Sequence, residues 1–150
     1  GISLSKGFDR YELYLRCCLA DLYVITRQLD LAKIEVEKSL QKARNLHIQG
    51  WIAHCYLDKA RIAMLEQQFE LCKKHLNHSY KIYKKINQMW GIINTQLIHE
   101  ILRLKTKQPI RVDILQELLR CSKQFNYQHE QLQIQQLLSG KYTMKPLMFL

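Results

Sequence analysis

The chain repeats itself with a period of about 40 residues, and this repetition constrains its fold more than any other feature. The same residues return forty positions on, as in the pairs Ala20 and Ala60, Ser39 and Ser79, and Ile52 and Ile92. Related tetrapeptides (LHIQ, INQM and FNYQ) occupy 46–49, 86–89 and 125–128. A fixed period of this size indicates an array of small units, each of which buries its apolar face against its neighbours. Such arrays usually bind partners, so the repetition favours binding over catalysis.

The composition predicts one folded, intracellular domain. The chain has 150 residues, of which 47% are hydrophobic, as in ordinary globular domains. No apolar run approaches the ~18–20 residues that span a bilayer, so no membrane partner is expected. The five cysteines are an odd number without a CxxC pair, which favours a reducing, cytoplasmic location over a disulfide framework. The net charge of +10 suits acidic partners, nucleic acid or simple solubility.

Helical periodicity predicts seven helices and no sheet. Apolar residues recur at three- and four-residue steps, whereas sustained alternation is lacking. The predicted helices are approximately 9–27, 30–45, 48–66, 69–86, 89–104, 110–124 and 127–138. Asp30 is expected to cap the second helix and Ile34 to face the core. Pro109 breaks the pattern before the sixth helix, and Gly140 follows the last helix, where glycine is favoured.

These features resemble the tetratricopeptide repeat, over about residues 9–138. The first unit has a small Ala20 followed three residues on by Tyr23, and the second unit repeats the small residue at Ala60. The second helices of the two units carry the related sets Ala32, Val36, Ser39 and Cys72, Leu76, Ser79. The period is longer than the common ~34 residues and is similar to repeats in bacterial transcription regulators and signal-transducing ATPases.

The resemblance implies an all-α, right-handed solenoid of three helical hairpins and a C-terminal capping helix. This domain would occupy 9–139, with 1–8 an N-terminal extension or tag remnant and 140–150 a tail. The third unit departs from the pattern, because Pro109 opens its second helix, and is either a true repeat or a degenerate cap. The resemblance also implies a protein- or peptide-binding module, the sensing or interaction domain of a larger intracellular protein of transcription regulation or signalling.

In repeats of this type the first helix of each hairpin lines a groove that holds the partner. Carried onto this chain, the resemblance predicts a groove lined by Tyr14, Asp21, His54, Leu57, Asp58, Arg61 and Asn94. Neighbouring positions on the same helices have an alternative interpretation as core, namely Cys17, Val24 and Met64.

A basic stripe is the second candidate surface. Four residues follow i, i+4, i+7, i+11 spacing on the fourth helix, namely Lys74, His78, Lys81 and Lys85. Between Glu70 and Glu100 there is no acidic residue. A solvated face is the favoured interpretation. The alternative is nucleic-acid binding, although no stacking aromatic can be placed beside the lysines.

Other patterns are weaker. The spacing Cys72-x-x-His75-x-x-His78 turns its outer pair apart on a helix, so no metal site is predicted there. No motif for phosphate binding or nucleophilic catalysis occurs, and we expect no enzyme activity and no cofactor. The apolar tail 142–150 is expected either to cap the last helix or to contact another copy as a homo-oligomer.

Overall fold

The computed structural model describes the backbone of residues 2–140 and the side chains of residues 7–140. Within this range the protein is all-α and contains no strand, which confirms the predicted fold class. The helices are α1 (Ile2–Ile25), α2 (Leu29–Asn45), α3 (Gln49–Leu65), α4 (Phe69–Lys85), α5 (Met89–Lys105), α6 (Val112–Gln124) and α7 (Gln128–Leu138). Most ends fall within two residues of the predicted ones. The exception is α1, since residues 2–8 form its first turns. The predicted tail, 140–150, lies outside the described residues except for Gly140.

The turns between helices share one geometry. A non-glycine residue with positive φ recurs at 20-residue steps, at Arg27, His47, Gln67, Asn87 and Lys107, and once more at Asn126. In each turn the N–H of this residue bonds to the carbonyl three residues back, and the next N–H bonds to the carbonyl five residues back. This double hydrogen bond is the Schellman motif, which ends a helix by satisfying its last carbonyls. The next helix begins almost at once, so consecutive helices run antiparallel.

The helices pack in a fixed order. Each helix contacts its neighbours in sequence, and α1 also contacts α3, α3 contacts α5, and α5 contacts α7. The odd-numbered helices therefore form one layer. The repeated small residues are buried where helices meet, because a small side chain permits close approach: Ala20, Ala32, Ala60 and Cys72 are each 1% exposed or less. Buried Ser79 also ties two helices together, its Oγ donating to the carbonyl of Ala53 at 2.8 Å.

Two local predictions for α2 are wrong. The N-cap is Gln28, which makes no side-chain capping bond, and Asp30 lies in the first turn instead. Asp30 is still favourably placed, because a carboxylate near a helix N-terminus complements the helix dipole. Ile34 is exposed rather than inward, since the buried stripe of α2 runs through Ala32, Val36 and Leu40.

The C-terminal part of the array departs from the 20-residue rule. α6 has 13 residues and α7 has 11, whereas α2 to α5 each have 17. The connection from α5 to α6 is longer and contains Pro109. Gly140 ends α7 with a φ of 70°, a backbone conformation that glycine adopts without strain.

Candidate partner-binding groove

Four charged side chains predicted for the groove meet between α1 and α3. Nε2 of His54 lies 3.0 Å from both carboxylate oxygens of Asp21 and 3.6 Å from Oδ2 of Asp58. Nη1 of Arg61 donates to Oδ1 of Asp58 at 3.1 Å. Three- and four-residue steps place His54, Asp58 and Arg61 on one face of α3. The contact of α1 with α3 brings Asp21 opposite them, so the cluster joins two units of the array.

The pKa values of this cluster follow from burial and mutual charge. Burial disfavours the imidazolium of His54, but the carboxylates of Asp58 and Asp21 outweigh it and raise the pKa of His54 to about 9. Burial and the Asp21 carboxylate raise the pKa of Asp58 well above its usual range. Burial also opposes ionisation of Asp21, but the hydrogen bond from Asp58 and the His54 charge hold its pKa below its usual range. A protonated His54 therefore faces an ionised Asp21 at neutral pH.

Aromatic rings line the groove beside the charged cluster. The ring centroid of Trp51 lies 6.0 Å from Tyr14 and 5.5 Å from His54, both edge-on. Trp90 of α5 stacks on His54 at 5.9 Å, and its ring is edge-on to Tyr83 at 6.4 Å. These rings border a cavity of about 410 Å³, within the ~300–1,000 Å³ range of small-ligand pockets.

Trp51 and Trp90 are the groove residues that sequence reasoning missed. They are the only two tryptophans of the chain, and both border the same cavity. Helical spacing gave a usable signal for each. Trp51 precedes His54 by three residues and Trp90 precedes Asn94 by four, so each lies on the helix face already assigned to the groove.

Two predicted groove residues lie elsewhere. Leu57 has no exposed surface and packs in the core, because α3 is covered by neighbouring helices on several sides. Asn94 is 5% exposed, and its Nδ2 donates to the carbonyl of Trp90 at 3.0 Å and to Oε1 of Glu130 at 3.3 Å. Its amide therefore links α5 to α7. Tyr14 does border the cavity, with 49% of its surface exposed.

The basic stripe lies on the exposed side of α4, and all four of its residues are exposed: Lys74, His78, Lys81 and Lys85. The first three, with Asn77, line a surface cleft of about 360 Å³. An aromatic ring lies beside them, contrary to the sequence interpretation, because the ring of His78 stacks on Tyr56 at 3.8 Å. Tyr56 is buried, so its ring supports His78 and offers little free face of its own.

Cations from two other helices surround this aromatic pair. Arg44 of α2 and Lys59 of α3 lie 5.9 Å and 5.6 Å from the centroid of Tyr56. Burial, together with the charges of Arg44, Lys81 and Lys59, lowers the pKa of His78. One ion pair offsets part of this charge, between Lys59 and Glu37. The surface formed by α2, α3 and α4 is thus positive beyond the predicted stripe.

Metal binding was tested against the donors that the fold brings together. Cys72 of the Cys-His-His spacing is buried in the core. Among the residues the structure describes, one group has ligand atoms close enough for a metal, namely Asp21, His54 and Asp58, within 4.8 Å of one another. The guanidinium of Arg61 already pairs with Asp58, and a raised pKa keeps His54 protonated. A metal ligand must be the neutral imidazole, so this group fits an ion-pair network better than a metal site.

No protein-family model, curated protein or solved structure matches this chain. The likeness to tetratricopeptide repeats accordingly remains a resemblance carried by the residues themselves. Over residues 2–140, none of the helices combines the length and the apolar character that crossing a bilayer requires.

Proposed function

We propose that this protein is a protein- or peptide-binding module whose partner occupies the groove between α1, α3 and α5. The observation that supports it most is the pairing of aromatic walls with a charged cluster in one cavity. Trp51 and Trp90 supply large, rigid apolar surfaces, and such residues dominate binding energy at protein interfaces. Asp21 and His54 offer a carboxylate and an imidazolium within the same cavity.

The chemistry of the groove restricts the partner. Apolar contact with the tryptophan rings supplies most of the affinity, because Asp21 and His54 already satisfy each other. A partner segment that fits therefore carries a bulky apolar side chain for the aromatic walls and a polar group beside it. The polar group meets Asp21, whose side chain is one-third exposed, and fixes the orientation of the segment.

The resemblance to tetratricopeptide repeats adds the biological setting to the proposal. Modules of the ~40-residue form occur in transcription regulators and signalling ATPases, where they serve as interaction domains. We accordingly propose a regulatory protein as the setting and a binding role rather than a catalytic one.

Selection of a displayed peptide library, followed by titration of the selected peptides, tests the proposal. Because both tryptophans border the groove, intrinsic fluorescence reports occupancy there directly. We expect Tyr14→Ala and Asp21→Asn to weaken binding at least about tenfold, the equivalent of ~1.4 kcal/mol. Lys81→Ala, on the opposite surface, is the matched control and should leave affinity unchanged. Peptides that bind without changing tryptophan fluorescence, and that are insensitive to Tyr14→Ala, would refute the groove.

A second candidate function, nucleic-acid binding, rests on the basic surface of α2, α3 and α4. The favouring observation is that Arg44 and Lys59 join the stripe around Tyr56. Binding of this kind weakens steeply with salt, because each neutralised phosphate releases counterions. Titration of fluorescent single-stranded oligonucleotides at several salt concentrations tests it. The triple substitution Lys74→Glu, Lys81→Glu and Lys85→Glu should abolish binding, and Tyr14→Ala should not.

A further inference from the structure

Helix α1 has two apolar faces, and only one of them is buried. The buried face packs in the core and consists of Leu13, Cys17, Ala20 and Val24. Six further apolar residues of α1 are exposed, namely Phe8, Tyr11, Leu15, Cys18, Leu22 and Ile25. At ~100° per residue, the mean directions of the two sets are roughly 160° apart. A helix that is apolar on opposite sides is normally covered on both.

The exposed set has the spacing of a coiled-coil seam. Its members follow one another at steps of three, four, three, four and three residues, which is the a and d pattern of the heptad. We name this set the α1 seam. α1 lies at the end of the odd-numbered layer, since α3 contacts both α1 and α5. The seam thus faces away from the rest of the described molecule.

We propose that the α1 seam pairs with the same seam of a second copy of this chain, with the two α1 helices antiparallel. The centre of the seam falls between Leu15 and Cys18. A two-fold axis through that point places Phe8 against the partner's Ile25, Tyr11 against the partner's Leu22, and Leu15 against the partner's Cys18. Because such an interface is self-complementary, it closes as a dimer.

The sizes of the side chains favour this direction. The aromatic residues Phe8 and Tyr11 lie at one end of the seam, and the smaller Leu22 and Ile25 lie at the other. Antiparallel pairing sets a large residue against a smaller one in each outer layer, which keeps packing even along the interface. Parallel pairing would set two phenylalanines against each other at one end and two cysteine thiols near the middle.

The area and the flanking charges are compatible with a dimer. Exposed fractions run from 37% for Ile25 to 72% for Phe8. With about 150–250 Å² for a whole aromatic side chain, the seam presents on the order of 500 Å² per molecule. Flanking contacts raise the total buried by both copies towards the ~1,200 Å² lower bound of a standard interface. The bordering Glu12 already pairs with Arg16 at 3.1 Å and with Lys42 at 2.9 Å, so it brings no unpaired charge to the interface.

Sedimentation equilibrium of the full chain tests the proposal. We expect a monomer–dimer equilibrium that becomes tighter as salt is added, because each copy carries a net charge of +10 and salt screens the repulsion. Leu15→Glu and Leu22→Glu should each give a monomer with unchanged helical circular dichroism. Leu132→Glu, at a residue of α7 that is 45% exposed, should remain dimeric. A monomer at about 1 mM, a concentration that reveals even weak pairing, would overturn the proposal.

Two further variants separate this interface from other modes of association. Deleting 142–150 should leave the dimer intact, and a dimer lost on that deletion but retained by Leu15→Glu would refute the seam. Orientation is tested by disulfide formation between Phe8→Cys and Ile25→Cys proteins, both carrying Cys18→Ser and Cys121→Ser. The antiparallel pair predicts a cross-link only when the two proteins are mixed. A cross-link formed by the Phe8→Cys protein alone would refute that orientation.

Discussion

A Cβ atom on Gly91 would lie 2.2 Å from the ring of Tyr83. Gly91 belongs to the first turn of α5, where its N–H donates to the side chain of Gln88 at 2.6 Å. Tyr83 is buried at the end of α4 and borders the groove. The missing side chain at Gly91 thus lets α5 approach α4 closely and fixes the ring that adjoins Trp90.

Gly91→Ala should therefore destabilise the fold. The added methyl group must displace Tyr83, and overpacking of this kind costs about 1–3 kcal/mol. The matched control is Gly50→Ala in the first turn of α3, where a new Cβ would meet only Ile86 Cδ1 at 3.8 Å. There alanine should be neutral or stabilising by up to ~1 kcal/mol, because glycine is a poor helix former. Urea unfolding measures both, and equal effects would contradict the packing explanation.

Glu100 and Arg111 hold the irregular connection between α5 and α6. Glu100 is fully buried and accepts three hydrogen bonds from Arg111, from the backbone N at 2.7 Å, from Nε at 2.9 Å and from Nη2 at 2.7 Å. Glu100→Ala should cost about 2–4 kcal/mol, since it removes charge-assisted bonds and leaves a cavity. Glu117→Ala, which breaks an exposed pair with Arg120, should cost at most ~1 kcal/mol. Similar losses in chemical denaturation would show that the connection needs no anchor.

The turn residue Lys107 has a φ of 61°, a conformation that costs L-residues about 1–2 kcal/mol. Lys107→Gly removes the clash of Cβ at the expense of a more flexible unfolded chain. We expect a net stabilisation of about 0.5–1 kcal/mol, a rise in Tm of roughly 1–4 °C for a chain of this size. Lys107→Ala keeps the Cβ atom and should give no gain. Calorimetry distinguishes the two, and an equal rise in Tm for both would refute the backbone explanation.

Stability should fall as the pH rises past neutrality, because His54 is held protonated. Its folded pKa of about 9 lies above the ordinary histidine value of about 6.5. The stabilising contribution is therefore complete below about 6.5 and is lost as the pH rises towards about 9, on the order of 3 kcal/mol in all. The groups that face it are Asp21 from α1 and Asp58 and Arg61 from α3. The raised pKa of Asp58 acts in the same direction, beginning at lower pH.

Urea unfolding at about pH 6 and about pH 9, on either side of this range, measures the effect. His54→Gln should remove most of the difference in stability between the two conditions. His47→Gln, at an exposed turn position, should retain that difference. A wild-type protein equally stable at both pH values would contradict the assignment.

The helices and turns could be predicted from the sequence because each depends on local pattern. Apolar spacing predicts the helices, and Pro109 and Gly140 punctuate the C-terminal part. His54, Asp58 and Arg61 were likewise predictable as a group, since helical spacing alone puts them on one face. The meeting with Asp21 required the order of helices in the layer, which the repeat resemblance supplied.

Burial on α3 and the aromatic walls could not be predicted in the same way. The apolar residues of α3 are spread around the helix, because α1, α2, α4 and α5 all contact it. Periodicity then fails to separate a groove position from a core position, as the burial of Leu57 shows. Trp90 reaches His54 only through the close approach of α5 to α3. The stacking of His78 on Tyr56 likewise depends on how α3 and α4 meet.

The equal spacing of the turns bears on how the length of this chain can change. Positive φ recurs at Arg27, His47, Gln67, Asn87 and Lys107, so a cut at one turn can be joined to another without altering local backbone geometry. Loss or duplication of 40 residues returns every later helix to its own layer, whereas a change of 20 residues exchanges the two layers. Recombination between its own repeats can therefore shorten or extend the groove while the junctions stay the same.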